Sequence, residues 1–228
     1  MNPQLPLALK FPPDQRFDGF IGNEPVRDLV ACIATGDLDD WLYLSGPGGS
    51  GKTHLLLAAC AEAQTRGKRA VYLPLASLAG RLSEVLDGFD DSALVCIDGL
   101  EAIAGERADE TALFHFHNRA RACNTVVVYA ARLPPGELPL LIPDLASRLA
   151  QCVRLQLAAP DDDCRRQVLR QRAARRGLEL DDAVLDYLFS RFGRDLASLT
   201  TLLDRLDKAS LAAQRKLTVP FLKTALSV

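Results

Sequence analysis

Trp41-Leu42-Tyr43-Leu44-Ser45-Gly46-Pro47-Gly48-Gly49-Ser50-Gly51-Lys52-Thr53-His54 decides the fold. A short apolar run, the pattern of a buried strand, enters a glycine-rich turn. A helix-forming stretch opens at Lys52. Gly46, Gly48, Gly49 and Gly51 allow the backbone to curl until several N–H groups face one anion. The helix N-terminus adds a favourable dipole. Lys52 supplies a point charge for β- and γ-phosphates, and the Thr53 hydroxyl is a ligand for Mg²⁺. Strand, loop and helix in that order read as a phosphate-binding loop, with Pro47, Ser50 and His54 completing the nucleotide-binding set.

Outward from this loop, strand and helix signals alternate. Further strands are expected at Ala70–Leu75, Ala93–Asp98, Thr125–Ala130 and Val153–Leu157, after the first at Trp41–Ser45. Helices are expected at Lys52–Arg66, Leu78–Leu86, Glu110–Cys123 and around Leu145–Leu149. Continuous apolar strands alternating with helices indicate a parallel sheet covered on both faces. Asp98, ending a buried strand, is the expected second Mg²⁺ ligand. The position after it, where many such ATPases carry an acid that polarises water, is Gly99, and Glu101 lies two residues further on. Binding parts are complete and the water-activating part is not, so slow hydrolysis is expected.

After Pro160 the pattern becomes wholly helical, with stretches at about 162–176, 182–192, 195–213 and 219–226. Asp161, Asp162 and Asp163 suit a helix start. Gly177 and Gly193 punctuate helix ends, and Thr218 with Pro220 opens the last helix. The expected division is a tail over 1–16, an α/β nucleotide-binding domain over 17–159 and a small all-α lid over 160–228. Nucleotide is expected between the last two. Pro3, Pro6, Pro12 and Pro13 bar regular structure from the tail. There, Gln4, Leu5, Leu7 and Leu9 offer a polar anchor and spaced apolar plugs on a proline-stiffened segment, which suits capture by a partner's groove.

Composition narrows the function classes. Of 228 residues, 48% are apolar and 25% charged, with a net charge of −2, so broad electrostatic attraction to nucleic acid is disfavoured. The six cysteines form no C-x-x-C pair and share no ligand spacing with His54, His115 and His117, so no structural metal and an intracellular setting with reduced thiols are expected. No secretory signal or apolar membrane span is read. Arg165, Arg166, Arg170, Arg172, Arg175 and Arg176 crowd the first lid helix; a solvated face is favoured over a DNA contact.

These residues resemble the DnaA-type AAA+ proteins, and within them the Hda family of DnaA regulators, over essentially the whole chain. Phe17-Asp18-Gly19-Phe20-Ile21-Gly22-Asn23 is similar to the family's N-terminal box at the adenine pocket, which implies Phe20 and Ile21 as nucleotide contacts. Pro143-Asp144-Leu145-Ala146-Ser147-Arg148-Leu149 resembles the segment bearing an arginine finger, implying Arg148 as a catalytic group acting in trans. Ala213-Gln214-Arg215-Lys216-Leu217-Thr218-Val219-Pro220-Phe221 resembles the end of the Hda lid, and the tail hexapeptide resembles the one that grips the sliding clamp.

The resemblance implies a five-stranded parallel AAA+ sheet with a lid, bound ADP or ATP with Mg²⁺, and a bacterial cytoplasmic setting. Its partners would be the DNA polymerase III sliding clamp (beta subunit), DnaA, and DNA through the clamp, with homo-oligomers left open and no membrane. The expected function is negative control of replication initiation, by hydrolysis of ATP on DnaA; weak or no intrinsic ATPase accompanies it. No helix-turn-helix reader follows the lid within these residues, which suits a regulator. The alternatives are an autonomous ATPase such as a helicase loader, or a non-catalytic clamp adaptor. Two departures bear on this: alanines stand at Ala130 and Ala131 where the family has a polar sensor, and Ala197 stands where it has a lid arginine, with Arg194 one turn earlier.

Overall fold

The computed structural model describes residues 15–192, 195–213 and 216–225. It divides into two compact units between Ala158 and Ala159.

In the first unit, α1 (Glu24–Thr35) precedes β1 (Leu42–Ser45), α2 (Lys52–Thr65), β2 (Ala70–Pro74) and α3 (Leu82–Leu86). Then come β3 (Leu94–Asp98), α4 (Arg107–Ala122), β4 (Val126–Ala131), α5 (Pro143–Ala150) and β5 (Val153–Gln156). All four ladders are parallel, in the order β2-β3-β4-β1-β5. The five strands match the sequence expectation to within a residue at each end. Leu42, Tyr43 and Leu44 are fully buried, as are Val127, Val128 and Tyr129, because the sheet has helices to cover it. β1 and β3 flank β4 with their ends level, since Ser45 pairs with Ala131 and Asp98 with Ala130. Chain direction across the sheet reverses beside β1, and the carboxyl end of such a switch is where parallel sheets place ligands.

The helices depart from the expectation more than the strands: α4 begins at Arg107 instead of Glu110, and two segments differ further. Helix α1 has no counterpart among the expected helices. Its signals lie in the sequence: Asn23 accepts from Val26 N–H at 3.2 Å, proline stands in the first turn, and Gly36 at φ +83° ends the helix by donating to Cys32 and Ile33 carbonyls. The helix expected over Leu78–Leu86 is shorter, covering Leu82–Leu86 after a 3-10 turn at Leu75–Ser77. Gly80 turns left-handed at φ +81°, and Asp109 on α4 accepts from Gly80 N–H at 2.6 Å and Leu82 N–H at 3.2 Å. That carboxylate satisfies amide groups a continuous helix would have used itself.

Glu110, the next residue on α4, is fully buried and collects N–H groups from Gly105 at 2.8 Å, Leu141 at 2.8 Å and Ile142 at 2.9 Å. One buried carboxylate therefore fixes the entry to α5, the helix that carries Arg148.

The second unit comprises α6 (Asp162–Arg175), α7 (Asp182–Phe192), α8 (Leu196–Ala213) and α9 (Val219–Ala225). Asp161 caps α6 by accepting from Cys164 N–H at 2.8 Å. Its own core gathers Leu169, Val184, Leu188, Leu203, Leu206 and Phe221. The arginines of α6 largely spend their charge inside the unit: Arg166 pairs with Asp186 at 2.5 Å, Arg176 with Asp204 at 2.6 Å and Arg165 with Asp162 at 2.8 Å, and Arg170 pairs with Asp182. Among the described residues, no helix is long and apolar enough to cross a membrane.

Candidate nucleotide site

The loop between β1 and α2 is set by contacts that leave no space for side chains at two positions. A Cβ on Gly46, at φ +152°, would lie 2.3 Å from the Leu157 carbonyl oxygen. One on Gly51, at φ +95°, would lie 2.6 Å from Phe20 Cε2. Backbone crowding at the first and a left-handed backbone at both keep the loop curled. Pro47, Gly48 and Gly49 are exposed along its crest, while Ser50 is buried beneath.

Lys52 is 8% exposed at the first turn of α2. Its ammonium donates to the carbonyls of Gly46 at 2.6 Å and Pro47 at 2.8 Å and to Ser50 Oγ at 3.3 Å. Burial lowers its pKa; Asp98 and Glu101 nearby oppose that shift, and Arg132 adds to it. The charge is thus centred on the loop, facing the carboxylates at the ends of β3 and its following turn.

Thr53 Oγ1 donates to Asp98 Oδ2 at 2.6 Å, and Tyr72 on β2 donates to the same oxygen at 2.9 Å. Burial first, and the Asp98 charge next, push the Tyr72 phenol well above its usual range, so it remains a donor at neutral pH. A hydroxyl and a carboxylate in contact beside the loop form an all-oxygen donor pair, the kind Mg²⁺ selects. The residues present therefore fit a magnesium-bearing nucleotide. Thr53 and Asp98 would hold such an ion, which would supply positive charge beside the phosphates.

The N-terminal box packs onto the same helix start. Phe20 is buried, meets His54 edge-on at a centroid separation of 5.7 Å, and touches the Gly51 turn. His54 Nε2 lies 2.8 Å from the Arg16 carbonyl oxygen, and Ile21 is half-buried. The structure brings Phe20, Gly51, Lys52, Thr53, His54 and Asp98 together, and Tyr72 joins them unannounced. Its only sequence signal is alternation on β2, which puts it on the face of Pro74, the register partner of Asp98.

Beyond Asp98 the arrangement departs from a complete hydrolytic site. Gly99 sits at φ +82°, with its N–H donated to the Ala130 carbonyl at 2.9 Å. Glu101 faces β4 instead: it accepts from the Arg132 backbone N–H at 3.1 Å and pairs with Arg132 Nε at 3.2 Å. Ala130 and Ala131, where the resemblance leads one to expect a polar side chain, are buried, and Arg132 follows them at the surface. Ala197 falls on α8, and Arg194 lies outside the described residues.

Arg148 lies apart from this group. It is exposed on the last turn of α5, whose following residues return to the start of β5, the end of the sheet opposite the loop. The carboxylate one turn back, Asp144, does not pair with it, and no described acid lies within 4.0 Å. Gln4, Leu5, Leu7 and Leu9 lie outside the described residues.

Residues 162–226 match the family model described as the lid domain of Hda. Domain III of the Thermotoga maritima replication initiation protein DnaA superposes with a TM-score of 0.78 at 21% identity, covering 95% of this chain and 97% of that one. AMPPCP-bound DnaA from Aquifex aeolicus gives 0.71 at 23% identity over 88% of this chain and 67% of that one. The Thermotoga maritima RuvB Holliday junction branch migration motor gives 0.66 at 20% identity over 93% of this chain and 71% of that one. The first unit thus has the AAA+ fold of DnaA domain III, and the second is similar to the lid domain of Hda.

Proposed function

We propose that this chain is a DnaA-related regulator of replication initiation that holds an adenine nucleotide in its own loop and supplies Arg148 to ATP on DnaA. The observation that carries the reading is the contrast between its two arginine–phosphate opportunities. At its own loop, Arg132 is engaged by Glu101, and no acid follows Asp98 directly, so the groups that would activate water are committed elsewhere. At the far end of the sheet, Arg148 is exposed with no described carboxylate in reach. An arginine offered across an interface stabilises charge developing on a transferring phosphoryl group, worth roughly 10³–10⁵ in rate in the best-studied GTPase case.

In this reading Gly46–Thr53, with Phe20, Ile21 and His54, hold ADP or ATP, and Thr53 with Asp98 hold Mg²⁺. Gln4, Leu5, Leu7 and Leu9 bind the sliding clamp, which brings the protein to DNA. The setting is the bacterial cytoplasm, and homo-oligomers of the chain are compatible with it. The test is ATP turnover on DnaA in the presence of DNA-loaded clamp. Adding this protein should accelerate hydrolysis, and removing residues 1–10 should abolish both clamp capture and the acceleration. DNA-stimulated hydrolysis by this chain alone would favour an autonomous ATPase. Clamp and DnaA binding with no change in turnover would favour an adaptor.

A further inference from the structure

Asp98 ends β3 as a carboxylate held by neutral groups. Thr53 Oγ1, from the first turn of α2, donates to Oδ2 at 2.6 Å, and the Tyr72 hydroxyl, from β2, donates to the same oxygen at 2.9 Å. No described residue donates to Oδ1. No described cation lies within 4.0 Å of the carboxylate. Lys52, one residue before Thr53, gives its donors to Gly46, Pro47 and Ser50 of the loop. Asp98 thus keeps a whole negative charge at the phosphate-binding end of the sheet, with one oxygen left to accept.

The two donors differ in what they can do beside a metal ion. A threonine hydroxyl has one proton and two lone pairs, so Thr53 can donate to Asp98 and still ligate. Tyr72 stands on the edge strand β2, where Pro74 is the register partner of Asp98 and alternation sets Tyr72 on the face of Pro74. It reaches the carboxylate from two residues back along the sheet. A phenylalanine would cover the same surface with its ring, so what the hydroxyl adds is its bond to Asp98. The terminal torsion of an aspartate is broad and leaves the carboxylate plane free to turn. Donors from two elements, α2 and β2, remove that freedom before any ligand arrives.

We propose that Tyr72 is a positioning residue for the divalent cation that accompanies the nucleotide, and that it acts through Asp98 by fixing the plane of its carboxylate. This deepens, and rests on, the reading of Thr53 and Asp98 as the magnesium pair. The phosphates themselves are held by the loop amides and Lys52, which Tyr72 does not touch. Loss of the hydroxyl therefore falls on the part of nucleotide affinity that depends on the metal and spares the part that does not.

The test is ADP affinity of the full chain, measured by calorimetry over a series of Mg²⁺ concentrations and in EDTA. Tyr72→Phe keeps the ring and removes the hydroxyl, Asp98→Ala removes the carboxylate, and a double variant joins the two. In EDTA, Tyr72→Phe should bind ADP as the normal protein does. It should need about 10-fold more Mg²⁺ for half of the metal's effect on ADP affinity, the lower end of the loss expected when a metal ligand's outer hydrogen bond is removed. On the Asp98→Ala background the same change should have no further effect. Normal Mg²⁺ dependence in Tyr72→Phe overturns the positioning role and leaves Thr53 and Asp98 as the magnesium pair. Equal weakening with and without Mg²⁺ makes the hydroxyl a support of the whole loop, and a further loss in the double variant places its action elsewhere than on Asp98; either overturns the proposal. ADP binding by the normal protein that ignores Mg²⁺ overturns the magnesium reading, and this proposal with it.

Discussion

Glu101 grips Arg132 twice, through the backbone N–H at 3.1 Å and through Nε at 3.2 Å. The pair spans the ends of β3 and β4 beside the Lys52 ammonium, and both members bear on the pKa of that lysine. A carboxylate whose oxygens accept from an arginine's backbone and side-chain N–H groups is turned away from the position an attacking water would need. Isolated protein should therefore hydrolyse ATP slowly, and Glu101→Gln should leave that slow rate unchanged. A drop of about 10²-fold or more, the usual worth of a general base, would make Glu101 the water-activating group after all.

Lys52 and Gly51 should act on binding rather than turnover. Lys52→Ala removes a charge-assisted donor and should weaken ADP about 10- to 100-fold, read by thermal shift across an ADP titration. Gly51→Ala places a methyl 2.6 Å from Phe20 Cε2 on a residue at φ +95°. It should cost about 1–3 kcal/mol in stability without ligand, and also displace Phe20 from the turn. If Gly51→Ala melts like the normal protein, the contact with Phe20 is not tight.

His117 gives a pH dependence with a defined sign. In the folded protein its pKa is lowered to about 4 from the ordinary 6.5, since burial and two arginines disfavour the imidazolium. The unfolded chain thus binds the extra proton first as pH falls, so this residue's contribution is complete above the unfolded value and lost between about pH 6.5 and 4. Denaturant midpoints measured across that window should fall with acid in the normal protein, and less steeply in His117→Gln. Parallel curves would place the dependence in other groups.

Arg148 makes a sharper demand than charge alone. Arg148→Lys should be nearly as inactive as Arg148→Ala in stimulating DnaA, because a point charge lacks the planar fork. Neither variant should alter ADP binding, whose residues lie at the other end of the sheet. Stimulation by the lysine variant at the normal rate would reduce the role of Arg148 to bulk electrostatics.

What the sequence determined by itself was local in its physics. The glycine pattern from Gly46 to Gly51, followed by Lys52 and Thr53, has few conformations other than a loop that presents its amides. The apolar runs from Leu42, Leu94 and Val126 could be stable only as covered strands. The lid helices were legible from Asp161, Gly177 and Pro220, whose capping chemistry acts within one turn. The cap formed by Asn23, Pro25 and Gly36 around α1 is equally local in its chemistry. Tertiary structure decided everything that depends on which strand ends are neighbours. Parallel order β2-β3-β4-β1-β5 brings Asp98 to Thr53, carries Tyr72 to the same carboxylate, and sets Glu101 against Arg132, pairs separated by 45, 26 and 31 residues. It also joins Trp41 to Arg121, a contact no spacing encodes, because strand order and not sequence distance determines which side chains share an end of the sheet.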